Sequence, residues 1–146
     1  MFRYSKLVLL LVAVLLLAAC GQNSDAATAV MRVEVIGKEL SFTPAQVTGK
    51  VGQPLTVAFK NEGAVEHDWA VLEIPVQDMH AEEEEGGGTH GHEAADGSGP
   101  TVHVASMPGN VTEVTFTPEH EGRYTIVCTV PGHKDAGMMG MLTVTS

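Results

Sequence analysis

The chain has 146 residues, 8 of them basic and 18 acidic, for a formal net charge of −10. That length suits one domain with a real core, and the acidic balance argues against nucleic acid as a partner. Much of the acid lies in one segment, so the net charge says little about the folded surface.

Arg3 and Lys6 make a positive start to the chain. Residues 7–17 are an apolar run, too short for a comfortable membrane span. Where the run stops comes Leu17-Ala18-Ala19-Cys20, which resembles a bacterial lipobox. The pattern predicts a lipoprotein signal peptide over residues 1–20, with Cys20 as the lipidated first residue of the mature chain. The plainer alternative is an ordinary cleaved signal peptide with Cys20 merely nearby. On the lipobox reading the protein is exported and lipid-anchored on the extracytoplasmic face of a bacterial membrane, periplasmic or cell-surface. Each buried acyl methylene stabilises such an anchor by ~0.8 kcal/mol. Residues 21–29 are small and polar and read as a flexible tether.

The domain itself is predicted over residues 30–146. Met31, Val33 and Val35 alternate with Arg32, Glu34 and Ile36, the pattern of a half-buried strand. Phe42-Thr43-Pro44 and residues 49–54 mark turns. Residues 55–60 alternate cleanly, and Asn61-Glu62-Gly63 ends that strand. Residues 69–74 are again strand-like, ended by Pro75. Residues 101–105, 111–117 and 123–129 look β, and residues 141–145 look like a closing strand. Helical periodicity is confined to the signal peptide. Short strands spaced by Gly/Pro turns predict an all-β sandwich or barrel. Phe42, Phe59, Phe116 and Tyr124 read as core, and Trp69 as a core anchor.

Residues 77–100 break this pattern. Four carboxylates at 82–85, three glycines at 86–88, then His90, His92 and Asp96 cannot bury apolar surface. The stretch is predicted to be a disordered acidic, His- and Gly-rich insert, since strand-like segments resume after it. With His80, its histidines make a possible secondary metal site (His80, His90, His92). A solvated charged loop is the simpler reading, because nothing there fixes a coordination geometry. His103 and His120 read as a strand-face and a turn histidine, neither with a matching partner.

The most informative stretch is residues 128–138. Cys128, His133 and Met138 stand at equal five-residue steps, with Pro131-Gly132 just before the histidine. His67 lies 61 positions before the cysteine. If Cys20 is acylated, Cys128 is an unpaired thiol in an exported protein, and a bound metal explains how it is protected. Two imidazoles, one thiolate and one thioether make the donor set of a mononuclear blue-copper electron-transfer site. A single loop cysteine argues against a binuclear copper site. About 126 residues after Cys20 are too few for an oxidase or nitrite reductase built from repeated copper domains.

The stretch from Tyr124 to Gly140 resembles the ligand loop of the cupredoxins, with C-x4-H-x4-M spacing like that of the auracyanins. The segment Asn61-Glu62-Gly63-Ala64-Val65-Glu66-His67-Asp68 resembles the one carrying that family's first histidine. The resemblance covers roughly residues 31–146 apart from the insert. It implies a Greek-key β-sandwich or barrel binding one copper ion, Cu(I)/Cu(II). The implied ligands are His67, Cys128 and His133 in the equatorial plane and Met138 on the axis. In cupredoxins the residue after the first histidine is commonly Asn and ties the two ligand loops together; here it is Asp68. By the same analogy the edge of His133 is the electron port, ringed by Pro131, Met139 and Met141. The implied function is a membrane-anchored one-electron carrier between redox protein partners, with no catalytic site and no enzyme activity. The alternative is an extracytoplasmic copper-binding protein for storage or delivery.

Overall fold

The structure, a computed structural model, describes residues 29–81 and 99–146. Among these residues ten strands form two five-stranded sheets. One sheet runs in the order β2 (Ser41–Thr43), β1 (Met31–Lys38), β4 (Leu55–Asn61), β8 (Val111–Pro118) and β6 (Val76–Ala81). The other runs β3 (Gln46–Lys50), β10 (Met139–Thr145), β9 (Gly122–Val127), β5 (His67–Val71) and β7 (Val102–Ser106). β1 pairs with β4, and β3 with β10, in parallel; the other pairs are antiparallel. The all-β expectation holds, as a two-sheet sandwich. No described residue is helical, and no described helix is long and apolar enough to cross a membrane.

The core lies between the sheets. Val35, Leu55, Val57, Phe59, Val114 and Phe116 of one sheet meet Trp69, Val71, Ile126 and Leu142 of the other. Trp69 is fully buried, with its ring 6.3 Å from that of Phe116, as a core anchor requires. Removing a side chain of this size from water stabilises the fold by roughly 1.5–3 kcal/mol. β4 is buried on both faces at most positions, although its sequence alternates. It sits between β1 and β8, and its outer face carries the small Thr56 and Ala58. Arg32 of β1 pairs with Glu113 of β8 across that face.

Several boundaries differ from the sequence reading. Phe42-Thr43-Pro44 was expected as a turn, but Phe42 and Thr43 belong to β2, and the Thr43–Pro44 peptide is cis. β3 then starts at Gln46 in the other sheet, so the turn is confined to the crossing between sheets. β5 begins at His67 and ends at Val71, earlier at both ends than the predicted 69–74, while Ile74 is buried without being in a strand. The insert expected over 77–100 starts too early, because Gln77–Ala81 belong to β6 and pair with β8. Every residue of β6 after Val76 is exposed. This edge strand is held by backbone pairing rather than by a buried face, so its side chains carry no alternation. A register shift between Gln77 and His80, with Asp78 at φ 51°, blurs the pattern further. The signal peptide, Cys20, most of the tether, His90 and His92 lie outside the described residues.

Candidate metal centre

Two segments at one end of the sandwich carry the ligands. The first joins β4 to β5 and delivers His67. Its organiser is Asn61, the last residue of β4, which is wholly buried. The Asn61 amide donates to the carbonyls of Val65 (2.8 Å) and Ser106 (2.7 Å), and its Oδ1 accepts the Gly63 N–H (2.8 Å). Two backbone groups of the turn and one at the end of β7 are thereby satisfied, as burial demands. Gly63 backs directly onto the ligand: a Cβ there would stand 2.7 Å from His67 Nε2. Neither residue was singled out by sequence for a role at the site. An Asn-x-Gly just before a candidate ligand was the available signal.

The second segment joins β9 to β10, as expected. Cys128 follows the last residue of β9, and Met138 precedes the first of β10. The ligands' own backbones close the loop. Cys128 N–H donates to the Met138 carbonyl (3.2 Å), and Met138 N–H donates to the His133 carbonyl (3.0 Å). Gly132 and Gly137 take φ of 85° and 103°, conformations that L side chains avoid. No atom lies within 4 Å of where a Cβ at Gly137 would stand, so its role is conformational rather than one of close approach.

The fold brings His67, Cys128 and His133 together, and they are the one group of three or more such donors among the described residues. His67 Nδ1 lies 3.2 Å from His133 Nδ1 and 4.0 Å from Cys128 Sγ, and His133 Nδ1 lies 3.4 Å from Sγ. A point central to that triangle is ~2 Å from each atom, the span of a metal–nitrogen or metal–sulfur bond. Three lone-pair donors aimed at one point fit a cation far better than they fit one another. His67 Nε2 is buried without a hydrogen-bond partner, so Nδ1 is the nitrogen that the arrangement engages. Met138, also fully buried, packs into the core next to Gly37.

Electrostatics agree with a metal-holding role. Burial, helped by the neighbouring Asp68 charge, pushes the metal-free Cys128 thiol up to about 11. Burial, then the neighbouring His133, hold His67 below the ordinary imidazole range, which keeps its nitrogen free to ligate. The metal must therefore displace a proton from sulfur but none from His67 at neutral pH.

Asp68, almost wholly buried, ties the two segments together. Its Oδ1 accepts the Thr129 N–H at 2.5 Å, and its Oδ2 accepts the Thr129 hydroxyl. His103 Nε2 reaches the same Oδ2 at 3.1 Å. His103 thus has a partner, contrary to the sequence reading. The contact spans 35 residues and two paired strands, so no local pattern announces it. Burial pushes the Asp68 carboxyl up, but the hydrogen bonds from His103 and Thr129 outweigh it and hold it below the usual carboxylate range. His80 stands on the exposed edge strand β6, away from any cluster of donors among the described residues.

A β-sandwich that converges two histidines and a cysteine beneath one end, with a buried methionine closing the loop, defines a type 1 copper protein. Residues 29–145 match the family model described as copper binding proteins, plastocyanin/azurin family. The chain belongs to that family. It is 31% identical to Auracyanin-A of Chloroflexus aurantiacus over 97% of this chain and 96% of the relative. The solved structure of auracyanin A from that organism, titled a "blue" copper protein, superposes with a TM-score of 0.57 at 29% identity, covering 80% of this chain and 99% of that one. The chain is also 28% identical to the Copper-resistant cuproprotein CopI of Pseudomonas aeruginosa, over 86% of this chain and 82% of that relative. The centre holds one copper ion through His67, Cys128, His133 and Met138.

Proposed function

We propose that the protein is a one-electron carrier, tethered to the extracytoplasmic face of a bacterial membrane and exchanging electrons with larger redox proteins. The observation that carries this reading is the convergence of His67 Nδ1, His133 Nδ1 and Cys128 Sγ on one buried point. His67, Cys128, His133 and Met138 would hold the copper, and the weakly donating Met138 thioether would help set its potential. Four protein donors saturate the ion and leave no position for a substrate, so the role is transfer rather than catalysis. The first ligand segment is held by the Asn61 side chain and the second by backbone hydrogen bonds, so oxidised and reduced copper would meet nearly the same cage. Electrons pass by His133, the ligand that is only half-buried, beside exposed Pro131 and Met139. The tether rests on the lipobox-like Leu17-Ala18-Ala19-Cys20 and the polar residues after it. A tethered carrier is concentrated near membrane partners.

A second reading, copper storage or delivery, is favoured by the similarity to a protein named for copper resistance and by the histidines at 80, 90 and 92. Repeated electrochemical cycling of the copper-loaded protein beside a copper chelator separates the two. The carrier reading predicts reversible cycling with copper retained. Loss of copper to the chelator within a few cycles would favour delivery and contradict the carrier.

A further inference from the structure

Asp68 differs from every other acidic residue described here. It is 4% exposed, and it is the only carboxylate among the buried described residues. It adjoins the ligand His67, and both its oxygens are engaged by the residue that follows the ligand Cys128. An uncharged amide in its place would keep the Thr129 N–H bond, since its oxygen accepts, but its NH2 could not accept the Thr129 hydroxyl as Oδ2 does. The Thr129 N–H bond alone would explain a polar side chain here; the second acceptor oxygen and the charge are what the carboxylate adds.

The charge has its own consequence. The copper site carries one more positive charge when oxidised than when reduced. A fixed negative charge held nearby, and buried enough that water screens it only weakly, stabilises the oxidised form more than the reduced. The surrounding groups keep that charge in place. Thr129 supplies two donors, and His103, on the neighbouring strand β7, holds Oδ2 from the other side.

We propose that the charge of Asp68, beyond the tie that it makes to the Cys128 loop, biases the copper toward its oxidised state. His103 is its anchor and orients the carboxylate without touching the metal. The proposal rests on the copper centre and not on the carrier reading, since a storage protein with this site would show the same bias.

The test is a redox titration of the full-length, copper-loaded protein and two variants, followed through the thiolate-to-copper absorption. Asp68→Asn keeps the shape and the Thr129 N–H bond and removes the charge. Its absorption band should persist while its preference for Cu(I) over Cu(II) rises about tenfold, ~59 mV upward for a one-electron couple. An unchanged or lowered potential with the band intact would overturn the proposal. Thr129→Val keeps the charge and removes one donor to it, so its potential should fall or hold. A potential raised in Thr129→Val would also overturn the proposal, even if Asp68→Asn did not fold. A wild-type protein without the band would overturn the type 1 centre itself, which is a separate failure.

Discussion

Cys128 and His67 pull the metal-free protein in opposite directions along the pH scale. The Cys128 thiol is raised from 9.0 to about 11, so between those values the unfolded chain has lost a proton that the folded chain keeps. Stability of the metal-free protein should therefore fall as pH rises through that window. His67 is lowered from 6.5, so below 6.5 the unfolded chain takes up a proton first, and stability should fall again toward acid. Copper replaces the thiol proton, so the stabilisation that it adds should grow with pH. Melting temperatures of the metal-free and copper-loaded protein from about pH 5 to about pH 10.5 check both signs. A metal-free melting temperature that rises above pH 9 would contradict the buried thiol. At this scale the ligands were legible because they obey local spacing: Cys128, His133 and Met138 share one loop, and the Pro-Gly turn stands beside them. His103 was not, because its partner lies 35 residues away and only sheet pairing brings them together.

Elements matter here through the turns that end them. The β4–β5 turn is wound around Asn61 so that His67 enters β5 already aimed at the second ligand segment. Gly63 leaves room for the His67 ring, and any side chain there meets Nε2. Gly63→Ala should push the imidazole off its line and weaken copper binding by roughly 10–100-fold, the usual cost of disturbing a residue that orients a ligand. Competition against a chelator of known affinity measures this, and unchanged affinity would show that the turn yields easily. Strands with one buried face, such as β1 and β8, were readable from alternation. β6 was not, because an exposed edge strand depends on backbone pairing and any polar sequence can occupy it. β2 and β3 were hidden for a related reason. They are short, and they flank a proline that reads locally as a turn.

On the scale of the whole molecule, the two sheets act as a frame that presents both ligand segments at one end. In the proposed reading, the lipobox-like sequence ending at Cys20 is what would hold that frame at a membrane. If Cys20 carries the lipid, Cys20→Ser should release the protein from the membrane fraction while leaving its copper spectrum unchanged, because residue 20 precedes the folded strands. Fractionation of cells expressing both forms decides this, and a variant that stays in the membrane would refute the anchor. The all-β class was legible from strand rhythm and Gly/Pro punctuation, which left sandwich and barrel open. The assignment of strands to sheets was not, since β1 with β4 and β3 with β10 pair in parallel across long stretches of chain.

The most direct test of the copper centre is the visible and EPR spectrum of the full-length protein with one equivalent of Cu(II), repeated on Cys128→Ala. An intense thiolate-to-copper band with narrow copper hyperfine splitting, lost in the variant, is the predicted result. A weak, ordinary Cu(II) spectrum that survives in Cys128→Ala would contradict it and move the metal to the histidines of the 77–100 stretch.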